Sequence, residues 1–159
     1  MPANPNRENV DSILKKFAPT KDNLLKCLHQ LQDNHPENYL SPEVLDAISA
    51  HFKLTKGQIF GIVSYYTMFS LEPRGRNLIR FCKSPVCQML GSTNLLSYLE
   101  KEIGLKPWQT SADSLYTLEL SECLGACHKG PAMMVNRDLV CNLTVEKINQ
   151  VINDLRKNN

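Results

Sequence analysis

Cys82 and Cys87 are separated by four residues and Cys123 and Cys127 by three, so four of the six cysteines in this 159-residue chain form two close pairs. The thiolate is the form of cysteine that binds metals, and four thiolates converging in a reducing compartment suit zinc or an iron-sulfur cluster. Structural zinc sites favour two-residue knuckles, whose tight turn brings two sulfurs onto one ion, whereas wider loops are better suited to spanning two irons. Zinc spacings also run to four, so spacing leaves both metals open, with redox-active or merely packed thiols as further alternatives. Arg80, Lys83 and Lys129 flank the four cysteines against Glu122 alone. A cluster held by thiolates becomes more negative on reduction, so such cations would favour the reduced form. Gly125, between Cys123 and Cys127, permits the backbone to approach a cluster closely and to aim its amide at a sulfur.

These thiols need a reducing compartment. Met1 to Glu8 holds no apolar stretch of the kind a secretory signal carries, which points to the cytoplasm, and six cysteines are too few for a disulfide scaffold. With 42% apolar and 21% charged residues, the composition is that of a packed protein and excludes disorder and collagen. The longest apolar run, Ile59 to Phe69, is broken by Gly61, Ser64 and Thr67 and is too short to span a bilayer, so no membrane insertion is expected. The net charge of +2 lies in the second half, without the basic stripe of a nucleic-acid binder.

Both cysteine pairs follow predicted strands. Leu78 to Cys82 is a short strand, Asn94 to Ile103 a helix stopped by Gly104 and Pro107, and Leu115 to Ser121 an alternating strand with Thr117, Glu119 and Ser121 on its polar side. If the two strands are parallel neighbours joined by a right-handed crossover through that helix, their C-terminal ends share one sheet edge. The two pairs, 35 residues apart in sequence, then meet where open α/β sheets place cofactors. Ala132 to Val135 and Leu139 to Cys141 flank Asn136-Arg-Asp138 as a hairpin, and Thr144 caps a last helix carrying Val145, Ile148, Val151, Ile152 and Leu155. This order suggests a small sheet with helices packed on it, as in thioredoxin-like folds.

The first half reads as four helices. Val10, Ile13, Leu14 and Phe17, then Leu24, Cys27, Leu28 and Leu31, recur at helical spacing; Ser41-Pro42 opens a third helix through Val44, Leu45, Ile48 and Phe52. Thr55 and Gln58 have capping-box spacing before a fourth stripe of Ile59, Ile62, Val63, Tyr66 and Phe69. Phe60 and Met68 add apolar surface on its other side, which is either buried too or presented to a partner. Leu71 to Arg76 ends that helix, so the expected organisation is an α+β chain with a helical bundle over residues 1–74, read as a docking domain, and a thioredoxin-like α/β domain over 75–159.

Cys27, on the stripe of the second helix, and Cys141, on the last strand, read as packing thiols. His128 beside Cys127 raises a Rieske-type centre, but that needs two histidines in place of two cysteines, and all four cysteines are present. His29, His35 and His51 have no ligand spacing among them. The short turn from Lys53 to Lys56 has helix-turn-helix length, yet Ile59 to Phe69 lacks the Arg, Lys or Asn that would read base edges. A free-standing ferredoxin is the other rival, and the two-sided apolar helix argues for assembly instead.

Ile79-Arg-Phe-Cys-Lys-Ser-Pro-Val-Cys87, Cys123-Leu-Gly-Ala-Cys127, Pro131-Ala-Met-Met-Val-Asn136 and Leu143-Thr144, with Gly61 to Phe69 and Leu71-Glu-Pro-Arg-Gly75, resemble the thioredoxin-like 2Fe-2S subunit of NADH-oxidising complexes. That family includes a small peripheral-arm subunit of complex I and small subunits of NAD(P)-linked, often electron-bifurcating, hydrogenases and formate dehydrogenases. The resemblance implies one 2Fe-2S cluster on Cys82, Cys87, Cys123 and Cys127. It also implies a partner subunit binding FMN, a 4Fe-4S cluster and NAD(H), with further catalytic subunits, and no hydride chemistry on this chain. Two departures stand out. Arg137 to Asn142 lacks the glycines common in the family's hairpin, and His128-Lys129 is not a pairing expected of the complex I branch, which suggests a soluble hydrogenase or formate dehydrogenase.

Overall fold

The computed structural model describes residues 7–157, and the chain divides between Arg74 and Gly75 into two compact units. The first unit holds α1 (Arg7–Leu14), α2 (Lys21–Asp33), α3 (Pro42–Phe52) and α4 (Lys56–Tyr65). Their stripes meet in one core around Leu28, Leu40, Ile48 and Ile59, all fully buried. The Ser41 side chain accepts from the Val44 amide and Pro42 takes the first turn of α3, where a missing N–H costs no hydrogen bond. Thr55 and Gln58 close their capping box at the start of α4.

The fourth helix is shorter than its apolar stripe predicts. It ends at Tyr65, and Tyr66 turns extended. The following segment is held instead by Gln32 of α2, whose side chain donates to the Met68 carbonyl at 2.9 Å and accepts from the Ser70 amide at 2.8 Å. A buried glutamine thus satisfies backbone groups that a longer helix would have paired internally. Phe69 still reaches the core, its ring 4.5 Å from that of His29. Ile59 and Val63 are buried, while Phe60, Tyr65, Tyr66 and Met68 are exposed, so α4 and its end present an apolar surface outward.

The second unit is built from β1 (Asn77–Cys82), α5 (Pro85–Met89), α6 (Ser92–Ile103), β2 (Gln109–Thr110), β3 (Tyr116–Ser121), β4 (Ala132–Val135), β5 (Asp138–Cys141) and α7 (Val145–Lys157). The sheet order is β2-β3-β1-β4-β5, with β1 and β3 parallel and the other neighbours antiparallel. Leu99 of α6 and Ile148 and Ile152 of α7 pack with Ile79, Phe81, Leu118 and Met133, so both long helices cover the same sheet face. This is the α+β arrangement of helices and a mixed sheet that the strand and helix pattern predicts.

Three details go beyond the sequence reading. Thr117 and Glu119, on the polar side of the strand, are buried. Each has a partner there: the Thr117 hydroxyl accepts from the Gly75 amide at 2.6 Å, and Glu119 stands in register beside Arg80 of β1. Alternation marks opposite faces of a strand, and a central strand can have both covered when its polar groups are paired. Five-residue α5 and two-residue β2 are too short for periodicity to reveal. The β4–β5 hairpin forms without glycine because Asn136 takes a φ of 54° and its side chain accepts from the Leu78 amide at 2.9 Å. Asparagine is among the few side chains that tolerate that left-handed conformation.

Candidate metal centre

The register of β1 on β3 runs from Asn77 opposite Tyr116 to Cys82 opposite Ser121, and the Lys83 amide continues the ladder by donating to the Ser121 carbonyl at 2.8 Å. Both cysteine pairs therefore leave the sheet at one edge. Cys82 is the last residue of β1; Ser84-Pro85 then starts α5, which carries Cys87. Both of these thiols are buried, whereas Cys123 and Cys127, in the loop after β3, are exposed.

Within the second pair the sulfurs are 3.6 Å apart. Gly125 between them has a φ of 79°, a conformation that side chains strain to adopt, and its amide donates to the Cys123 sulfur at 3.4 Å. Gly130 passes over the first pair: a Cβ there would stand 3.5 Å from the Cys87 sulfur and 2.9 Å from Leu90 Cδ1. The segment at Gly130 thus lies against Cys87, and a side chain there would displace only the flexible end of Leu90.

The surroundings of the sulfurs differ in kind. Burial pushes the Cys82 thiol up, but hydrogen bonds from the Ser84 hydroxyl and amide, from Cys87 and from the Leu124 amide outweigh it and hold Cys82 below the ordinary thiol range. The Cys82 thiol and Ser84 Oγ are 3.3 Å apart. Cys87 is pushed up by burial and by its contact with Cys82, against the Ser84 hydroxyl and the Ala132 amide. Cys127 is raised by its hydrogen bond and charge interaction with Cys123, then by burial and the charges of Cys87 and Cys82. The Leu124 amide, which lies inside the second cysteine loop, reaches Cys82 of the first. All four sulfurs thus belong to one electrostatic neighbourhood, in which several thiolates repel one another until a metal compensates them.

That donor set fits an iron-sulfur cluster. Four thiols stand as two close pairs, and backbone amides from three segments are aimed at sulfur, which is how proteins stabilise thiolate-ligated clusters. Among the described residues no three His, Cys, Asp or Glu side chains gather as ligands of one ion do.

The cationic surroundings need correction. Arg80 does not present a bare charge to the site: its Nε lies 2.8 Å from Glu119 Oε2, with both side chains under 10% exposed. Lys83 pairs with Glu122 at 2.8 Å in the open. Two of the three cations read as favouring reduction are therefore tied to carboxylates. Elsewhere, Cys27 is fully buried in the bundle, where burial drives its thiol up to about 11, and Cys141 sits half-buried on β5 opposite Ala132. His128 lies in a short 3-10 turn, Cys127–Lys129; His29 packs on Phe69, His35 on Tyr39, and His51 bonds to the Phe17 carbonyl. Ser84 is the site residue that sequence reasoning passed over. Ser-Pro after a strand is a helix-start signal and could have located α5, but nothing local shows where the hydroxyl turns.

Residues 10–156 match the family of thioredoxin-like 2Fe-2S ferredoxins. A relative in Escherichia coli (strain K12), named as a subunit of NADH-quinone oxidoreductase, is 35% identical over 146 residues, covering 92% of this chain and 87% of that protein. The corresponding subunit of Aquifex aeolicus (strain VF5) is 32% identical over 132 residues, covering 83% of this chain and 81% of that one. A crystal structure of an NAD+-reducing NiFe-hydrogenase in its air-oxidized state superposes with a TM-score of 0.77 at 26% identity, over 91% of this chain but only 24% of the longer hydrogenase chain. Among the described residues no helix is long and apolar enough to cross a membrane. With the match spanning nearly its whole length, this chain belongs to the thioredoxin-like 2Fe-2S ferredoxin family, whose members bind a 2Fe-2S cluster.

Proposed function

We propose that this chain is the electron-transfer subunit of an NAD(P)H-oxidising flavin complex, with one 2Fe-2S cluster held by Cys82, Cys87, Cys123 and Cys127. The observation that carries the reading is the convergence of both cysteine pairs at the C-terminal edge of the parallel β1–β3 pair. When bound, the cluster stores and passes single electrons; the protein sets its position and potential. Cys82 and Cys87 hold it from the sheet side, and Cys123 and Cys127 from the exposed loop, where a partner can approach. The amides of Leu124, Gly125 and Ala132 support the sulfurs.

A role within an assembly is favoured over a free-standing carrier by exposed apolar side chains in both units. Phe60 and Tyr65 stand 55% and 78% exposed in α4, and Met89 stands 87% exposed in α5, the helix that carries Cys87. Apolar surface of that kind marks an interaction site. The partner this reading assigns bears FMN, a 4Fe-4S cluster and NAD(H), consistent with relatives named as NADH-quinone oxidoreductase subunits and with a neighbour named as an NAD+-reducing hydrogenase. The cytoplasm is the compartment this assigns, and the assembly is of the complex I or the soluble hydrogenase or formate dehydrogenase type, with or without electron bifurcation.

The test is EPR and metal analysis of the reduced protein. The expected result is a rhombic S = 1/2 signal with about two irons and two sulfides per chain. Serine at Cys82, Cys87, Cys123 or Cys127 should weaken or abolish it, and Cys27→Ser should not. Zinc in place of iron, or loss of the signal only in Cys27→Ser, would overturn the assignment. Co-purification with a flavoprotein is expected; a lone monomer from its native host would leave the ferredoxin reading standing in its place.

A further inference from the structure

Ser84 occupies the position before α5 at which a serine hydroxyl ordinarily accepts a hydrogen bond from the first-turn backbone, and Pro85 follows it as the first helical residue. Its side chain makes no such cap. The residue is buried, 7% exposed, and its Oγ lies 3.3 Å from the Cys82 sulfur. A hydroxyl removed from water and turned away from its local backbone acceptor role has been given over to the sulfur.

While Cys82 is a protonated thiol it donates and Ser84 accepts. A thiolate has no proton to give, so with Cys82 as a metal ligand the bond reverses and Ser84 becomes the donor. The Glu122 carbonyl oxygen, 3.7 Å from this sulfur, cannot donate, so the hydroxyl is a side-chain donor beside the backbone amides of Ser84 and Leu124. The same hydroxyl also hydrogen-bonds the Cys87 sulfur, so it reaches both sulfurs of the first pair. A neutral side chain that stabilises negative charge on two sulfurs stabilises the more negative of two redox states more strongly.

We infer that Ser84 sets the reduction potential of the cluster by donating a hydrogen bond to the sulfur of Cys82, and that it is a positioning residue for electron transfer rather than a ligand. The inference rests on the reading of Cys82 and Cys87 as cluster ligands. No atom or electron is transferred by Ser84; its proton stays on Oγ in both states.

The test uses the full chain with its cluster loaded, comparing native protein with Ser84→Ala and Ser84→Thr by iron content, EPR and an EPR-monitored redox titration. Ser84→Ala should keep its iron and its rhombic signal, while reduction becomes about tenfold less favourable, a fall of about 59 mV for a one-electron couple. Ser84→Thr, which keeps the hydroxyl, should stay within about threefold of native. A Ser84→Ala titration within about twofold of native overturns the inference, as does an increase in potential. Should Ser84→Ala lose its iron, Ser84→Gly is titrated in its place against the same two thresholds. Cys82→Ser and Cys87→Ser separate the two readings: native iron content and signal in both would refute the ligand assignment itself, whatever Ser84 does.

Discussion

Removing Glu119 should cost this protein more stability than removing any exposed charge. Glu119 and Arg80 face each other in register on the two parallel central strands, 2.8 Å apart, with side chains 8% and 6% exposed. The Arg80 Nε–H is not aligned on the carboxylate as a hydrogen bond, so the contact acts chiefly through charge. Glu119→Ala leaves the guanidinium buried beside a void, and breaking such a pair from one side costs roughly 3–5 kcal/mol. At a urea dependence of about 2 kcal/mol per molar, a loss of about 4 kcal/mol lowers the midpoint by about 2 M. Far-UV circular dichroism in urea reads this directly. The double variant Arg80→Met/Glu119→Leu replaces the pair by apolar side chains of similar length and should recover most of the loss, because the desolvation cost of both ions disappears with their attraction. A Glu119→Ala midpoint within about 0.5 M of native, or a double variant as unstable as the single one, would refute the reasoning.

Gly75→Ala should destabilise the second unit by about 1–3 kcal/mol or more, since a Cβ at Gly75 would stand 2.6–2.9 Å from the backbone of Tyr116, which cannot yield as a side chain can; an unchanged urea midpoint would contradict this. His35 supplies a pH dependence. Burial holds its imidazole below the ordinary range against the weaker pull of Glu37 and Glu43, and its Nδ1 accepts from the Glu37 amide, a bond lost on protonation. The unfolded chain therefore binds this proton more tightly, so the stability His35 contributes is fully present above about pH 6.5 and is lost as pH falls toward the depressed folded value. His35→Phe keeps the ring against Tyr39 and should flatten the stability profile between about pH 6.5 and 5, measured by urea unfolding; an unaltered slope would show that His35 is not the titrating group.

Much of the local structure was legible because it is set by neighbouring residues. The caps at Ser41, Thr55 and Thr144, the strands through Cys82 and Ser121, and the helices carrying Leu99 and Ile148 follow from side-chain spacing and from who can satisfy a free N–H within one turn. The spacing of the cysteines, Cys82 to Cys87 and Cys123 to Cys127, marked two close pairs of thiols as candidate metal ligands.

Apart from the parallel strands that bring the cysteine pairs to one edge, what the sequence could not specify was decided by residues far apart in the chain. The end of α4 depends on Gln32, more than thirty residues earlier, taking over the backbone groups of Met68 and Ser70. Period-two alternation put Glu119 on the polar face of its strand without saying whether that face is covered; the strand register brought Arg80 beside it and made burial tolerable. The charges around the cysteines followed the same rule, since Arg80 and Lys83 are neutralised by partners on or just beyond β3. Ser84 is the sharpest instance: its type and its place before Pro85 announce a helix start, yet its hydroxyl points to sulfur. Local sequence sets which groups need partners, because backbone geometry within a turn is short-ranged; only the packed structure, which brings β1, β3 and their loops to one edge, decides which partners they find.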